Sequence, residues 1–319
     1  MGLAIYLIKR LLVAIGLIVL VATINFVIVH LTPGGPTTVL LTNPRITPPQ
    51  RAQILASYGL DKPLYTQYVL YIIGMFTGNW GISYFYLEPA YFVIAQRIDN
   101  TLLLMVPSLI LTIIIGILLG ITGAKKPFSA LDRFTSSAAF FFYAMPAFWL
   151  GFVLLTIFAL DLRVLPAGGM SSITGAGTIT DLLAHLALPL VTLVLVNLAN
   201  FSLLTRTSMM DVLDQNYIVT ARGKGLSDRL IFYRHALRNA LLPTVTMTGL
   251  FVGFLLTGAI LTESVFSWPG LGLLTFQSIL NRDYPVMLSL FFIFSVMIIA
   301  SNLATDIIYG FLDPRVSYE

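Results

Sequence analysis

Six stretches of this sequence are long and apolar enough to cross a lipid bilayer, and they constrain the fold more than any other feature. A helix rises about 1.5 Å per residue, so about 20 apolar residues span a hydrocarbon core about 30 Å thick. The runs cover residues 11–31, 101–124, 134–160, 182–205, 243–262 and 286–310. One such run can be a buried helix of a large soluble protein; six in one chain predict an all-α integral membrane protein with six transmembrane helices. The first run exceeds a signal-peptide core and no small-residue cleavage site precedes Pro33, so it is expected to be retained. Only 10% of the 319 residues are charged, against about 25% in soluble domains.

The same composition excludes several chemistries. With no cysteine, disulfides, thiolate zinc sites and thiol nucleophiles are ruled out. Three histidines, His30, His185 and His235, are too few for a multi-histidine metal site, so no metal site is expected. The net charge of +4 is not a nucleic-acid signature, because of where the charges fall. Twelve of the 18 Lys and Arg lie in residues 1–10, 125–133, 206–242 and 311–319. The positive-inside rule places those segments, with both termini, in the cytoplasm of a multi-pass protein of the cell membrane. Residues 32–100 and 263–285 are then external.

The external stretch 32–100 reads as structured. Thr47-Pro48-Pro49-Gln50 starts a helix that Gly59 stops. A second amphipathic stretch, 63–76, places Leu64, Tyr65, Tyr68, Ile72 and Met75 on one side. Its tyrosines suit a membrane–water interface, as a cap over the helices or as a platform for an external partner. The cytoplasmic stretch 206–242 is too long for a simple turn and holds six basic residues. Ser227 is placed to cap a helix reaching about Asn239, with Leu230, Tyr233 and Leu237 on one face and Arg234 and Arg238 beside them. Such a helix fits a groove of another protein or lies on anionic membrane lipid.

No phosphate-binding loop, zinc-protease motif or nucleophile elbow occurs, so no catalytic residue and no cofactor is expected. Asp306 is the one charge within the crossings, near the cytoplasmic end of the last, whereas a proton-coupled carrier needs titratable groups deep in the membrane. Asn197 and Asn200, one turn apart within a crossing, line a polar path or bridge helices.

The internal loop carries a recognisable pattern. Tyr217-Ile218-Val219-Thr220-Ala221-Arg222-Gly223-Lys224-Gly225-Leu226-Ser227, then Arg234-His235-Ala236-Leu237-Arg238-Asn239, resembles the coupling-loop signature of ABC importer permeases. The nearest resemblance is to the dipeptide/oligopeptide/nickel family, in the membrane subunit with a long first external loop. Met145-Pro146-Ala147-Phe148-Trp149, Leu165-Pro166-Ala167-Gly168, Glu263-Ser264-Val265-Phe266-Ser267-Trp268-Pro269-Gly270-Leu271-Gly272, Asn281-Arg282-Asp283-Tyr284-Pro285 and Asp313-Pro314-Arg315 extend it along the chain. The sequence departs at Val219-Thr220, where the wider signature has Glu-Ala, and at Gly35, where an aspartate is usual.

The resemblance implies a type I importer permease with its core over 101–310. It implies a second, homologous permease subunit, two ATPase subunits that bind the ATP and magnesium, and an extracellular or periplasmic solute-binding protein. It assigns ATPase coupling to Ala221, Gly225, Leu226, Ser227, Leu230, Tyr233, Arg234, Leu237, Arg238 and Asn239. Glu263, Trp268, Pro269, Gly270 and Gly272 would form the external gate or the contact with the binding protein. Short peptides are the implied substrate, with oligosaccharides or a metal chelate as alternatives. The different class of function, an ion-coupled carrier or intramembrane enzyme, is the distant alternative, against which the absence of mid-membrane carboxylates and of a catalytic constellation argues.

Overall fold

The computed structural model describes residues 3–33, 35–42, 46–172 and 177–312. Gly34, Arg45, the Asp313-Pro314-Arg315 motif and the side chain of Asp306 lie outside what it describes. In chain order the helices are α1 (Leu3–Leu31), α2 (Pro36–Thr42), α3 (Pro48–Tyr58), α4 (Leu64–Thr77), α5 (Ala90–Lys125), α6 (Ala130–Tyr143) and α7 (Ala147–Leu155). A π-turn, Thr156–Asp161, extends α7. Then follow α8 (Ile179–Leu213), α9 (Asn216–Gly223), α10 (Asp228–Leu230) and, after a second π-turn over Ile231–Ala236, α11 (Leu237–Ala240). The last are α12 (Leu242–Gly253), α13 (Ile260–Val265), α14 (Leu271–Leu280) and α15 (Tyr284–Leu312). Among the described residues the extended pairing is one isolated bridge, Ile82 with Pro89.

Four of the six apolar runs are single helices long enough to span a bilayer: α1, α5, α8 and α15. The other two are broken where the sequence gives a reason. The run 134–160 bends by 100° between α6 and α7, because Pro146 lacks an N–H and its ring disfavours helical backbone at Met145. The run 243–262 ends as a helix at Gly253 and turns through Phe254–Thr257. Gly258 then takes φ +64°, and a Cβ there would meet Glu263 Oε1 at 2.6 Å. The expected single helix over 243–262 is therefore two short ones, α12 and α13.

The chain divides into two compact units. The first comprises the described residues of 1–102, 252–264 and 269–319. There α1 and α14 pack along α15, and Ala90, Val93, Ile94, Leu271, Leu274, Val286 and Leu290 form one core. A second cluster joins Val29, Leu40, Ile46 and Tyr84 to Tyr284 and Leu288. It ties the described residues after α1 to the start of α15, and α3 starts and stops where the Thr47 and Gly59 signals predict. Gln50 accepts from the Thr47 N–H at 3.0 Å, and Gly59 ends α3 at φ +58°.

The second unit comprises 103–251 and 265–268, within which α6 and α7 pack on α8. Glycine lets α5 and α8 approach closely. A Cβ on Gly116 would meet Phe201 Cβ at 2.5 Å, and one on Gly120 would meet the Ser202 carbonyl oxygen at 2.6 Å. Small residues at such crossings are how apolar helices associate where water supplies no hydrophobic drive.

Candidate functional site

The basic stretch 206–242 forms a helical hairpin carried on the end of α8. Gly225 takes φ +78°, the left-handed step that turns the chain from α9 towards α10. α10 begins directly after Ser227, whose carbonyl accepts the Ile231 N–H at 3.0 Å; the Ser227 hydroxyl makes no cap bond. The π-turn that follows inserts an extra residue into the helical period and rotates the faces. Ile231, Ala236 and Ala240 point inward onto Met209, Ile218, Ala221 and Ala124, and Leu237 packs with them. Ridge geometry therefore differs from the uninterrupted helix expected from the sequence: Leu230 is half-buried, Tyr233 exposed and Leu237 turned inward. Leu226, Arg234, Arg238 and Asn239 are exposed, and Ala221 belongs to the core beneath. Asn239 Nδ2 donates to Tyr217 Oη at 2.9 Å, fastening the helix to α9.

Beneath the hairpin lies a pair that sequence reasoning missed. Arg206 donates from Nε to Asp132 Oδ1 at 2.6 Å and from Nη2 to Oδ2 at 2.8 Å. The Phe128 N–H adds a third donor at 2.8 Å, and Asp132 is almost fully buried. A bidentate, charge-assisted pair of this kind is directional. It fixes the α5–α6 turn to the place on α8 where the basic stretch begins. Gly123 leaves the room: a Cβ there would stand 2.7 Å from Asp132 Oδ1. The only sequence signal was an acid within a basic turn, 74 residues from its partner.

The segment 263–285 is organised around a buried carboxylate. Glu263 is fully buried. It accepts the Leu273 N–H at 3.0 Å, backbone donors of Ala259 and Gly272, and the Thr101 hydroxyl at 3.4 Å. Its acceptors thus face the first turn of α14, where backbone N–H groups lack helical partners. Burial pushes the Glu263 carboxyl above its ordinary range, partly opposed by these donors. A Cβ on Gly270 or Gly272 would meet Glu263 Oε2 at 2.5 or 2.9 Å, so the glycines of this motif are required by the carboxylate. Pro269 offers its carbonyl to Asn100 Nδ2 at 2.8 Å. Trp268 is fully buried; just before it, Phe266 accepts the Gly169 N–H at 2.8 Å through its carbonyl. Of the five residues expected at the gate, only Pro269 keeps partial exposure. They build the segment from within.

Asp283 repeats the device after α14. It accepts the Ser83 hydroxyl at 2.5 Å and the Tyr84 N–H at 3.0 Å, and burial raises its carboxyl too. Asn197 and Asn200 are both half-buried, and Asn197 donates to the Leu193 carbonyl of its own helix at 2.9 Å. Ser172, Asp181 and His185 cluster, but the Ser172 hydroxyl donates to Asp181 at 2.6 Å and both approach the same ring nitrogen of His185. That order fastens a loop to α8 and lacks the relay that activates a serine.

Long apolar helices, glycine-mediated helix contacts and a basic helical hairpin on the end of α8 are the marks of a multi-pass membrane protein. Residues 113–318 match the family described as "Binding-protein-dependent transport system inner membrane component". Residues 3–104 match the corresponding N-terminal family. The chain is 38% identical over 316 residues to the oligopeptide transport system permease protein AppB of Bacillus subtilis (strain 168), covering 99% of this chain and 100% of that protein. It is 37% identical to the dipeptide transport system permease protein DppB of Escherichia coli (strain K12), covering 98% and 99%. The di/tripeptide transport system permease protein DppB of Pseudomonas aeruginosa (strain UCBPP-PA14) is 35% identical over 94% of each chain. This chain belongs to that family of membrane permease subunits of binding-protein-dependent ABC importers.

Proposed function

We propose that this subunit forms half of a translocation pathway for short peptides, beside a second, homologous permease. Two separate ATPase subunits bind ATP and magnesium on the cytoplasmic side, and a solute-binding protein delivers substrate from outside. In this reading all six apolar runs cross the membrane, the two broken ones included, and both termini are cytoplasmic. The observation that carries it is the hairpin of 216–240. Its inner side is sealed onto α8 by Ile231, Ala236 and Ala240, while Leu226, Tyr233 and Arg234 stay outside. An element so held moves with the membrane helix beneath it and offers its outer side to an ATPase groove. The peptide assignment is supported by the relatives, which are oligopeptide, dipeptide and di/tripeptide transport system permeases.

The test is reconstitution with the co-encoded permease, ATPases and binding protein in proteoliposomes. Uptake of labelled di- to oligopeptides that requires both ATP and the binding protein is expected. Uptake of an oligosaccharide or a metal chelate in place of peptides would overturn the substrate assignment, and uptake by this chain without ATPase would overturn the importer reading.

A further inference from the structure

The helix α4 lies in a stretch that the sequence places outside the membrane, yet its packing partners lie well inside the spanning helices. Gln67 meets His30 at the outer end of α1 at 3.2 Å. The next residue, Tyr68, reaches further along α1, where its Oη meets Thr23 Oγ1 at 2.8 Å. Met75 packs with Ala22 and Phe292, and the Phe76 ring lies 5.5 Å from that of Phe292. The helix therefore runs down α1 antiparallel, from its outer end inward. Ala22 lies nine residues inside Leu31, about 13 Å along the axis, and Phe292 is eight residues inside α15, about 12 Å. Half of a hydrocarbon core is about 15 Å, so the tip of α4 comes close to the bilayer middle.

The chain then reverses tightly. Gly78 takes φ +79°. A Cβ on Gly74 would meet the Asn79 carbonyl oxygen at 2.7 Å, so only glycine lets the returning strand lie against the helix. Trp80 Nε1 donates to the Met75 carbonyl at 3.2 Å, satisfying an end-of-helix acceptor. By Ser83 the chain is back at the start of α15, bonded to Asp283. α4 contains no charged residue. On the side away from α1, Tyr65, Val69 and Ile73 recur every four residues, each at least 50% exposed. In water that would be an uncovered apolar stripe. On α1, Ile24, Val27 and Ile28 are exposed and apolar as well.

From this geometry we infer that 64–83 is a re-entrant hairpin seated in the outer leaflet, and that the Val69–Ile73 face of α4 binds lipid acyl chains and no soluble partner. The inference rests on the orientation proposed above. Its test uses cysteines in the otherwise cysteine-free chain: Val69→Cys and Ile73→Cys, with Lys62→Cys as a water control and Ile24→Cys as a lipid control. The full chain, assembled with its co-encoded partners in lipid nanodiscs, carries a nitroxide at each position. Positions 69 and 73 are expected to match position 24, with high accessibility to oxygen and loss of accessibility to a water-soluble nickel chelate. High nickel accessibility at 69 and 73, as at 62, would overturn the inference in favour of an aqueous surface. Low accessibility to both reagents would overturn it in favour of a covering protein. Impermeant-maleimide labelling of position 62 from the outside checks the orientation separately, so the two failures are distinguishable.

Discussion

Single residues here act mainly by holding neighbouring segments. Glu263 and Asp283 are buried carboxylates whose partners are hydroxyl and backbone donors, and burial raises both above the ordinary range. A raised pKa in the folded state means that the folded chain takes up protons more readily than the unfolded one. Their contribution is therefore fully favourable below the ordinary carboxylate range and declines as pH rises through the raised values. Comparing wild type with Glu263→Gln by thermal unfolding across pH 4 to 8 in detergent should show that wild type loses more stability on alkalinisation than the variant. An identical slope would remove Glu263 from this account. Asp132 and Arg206 give a second expectation. Removing one partner of a buried pair costs about 3–5 kcal/mol, whereas replacing both by apolar residues costs far less. Asp132→Ala should thus lower the unfolding midpoint strongly, and Asp132→Ala with Arg206→Met should recover most of the loss.

At the scale of elements, the helix after Ser227 shows how a small irregularity reassigns roles. A continuous helix from Ser227 would put Leu230, Tyr233 and Leu237 on one outward ridge; the π-turn sends Leu237 to the inner cluster with Ile231 and Ala236. Leu237→Asp should therefore destabilise the folded chain by about 2 kcal/mol or more, because a charge enters an apolar contact. Tyr233→Asp should change thermal stability by no more than about 0.5 kcal/mol, as at ordinary surface positions. Equal losses would contradict the observed register. Local signals were legible in the sequence where the physics is local: the Thr47 and Gly59 ends of α3, the Gly225 turn, the start after Ser227. The break at Pro146 was legible as a proline, but its 100° size depends on packing against α8. The π-turn, the packing of α4 along α1 and the Arg206–Asp132 pair were not legible. Each arises from contacts between segments far apart in sequence, which periodicity cannot register.

For the whole molecule, the proposed orientation rests on charge asymmetry and helix length together. Lys62→Cys should react with an impermeant thiol reagent from outside intact cells, and Ser227→Cys only after permeabilisation; the reverse pattern would invert the topology. The central claim is that the exposed side of 226–238 docks an ATPase subunit. Burying each apolar side chain contributes about 1.5–3 kcal/mol, and about 1.4 kcal/mol is a tenfold change in affinity. Exposed arginines contribute about 1 kcal/mol or less. The direct measurement is ATPase co-purification from the assembled transporter with Leu230→Asp plus Tyr233→Asp, set against Arg234→Gln plus Arg238→Gln. The account predicts at least about a hundredfold weaker ATPase binding for the first pair, with normal membrane insertion, and a mild, salt-dependent loss for the second. Full ATPase retention by the Leu230/Tyr233 variant, with loss only on removing the arginines, would contradict it and leave the helix a lipid-bound element.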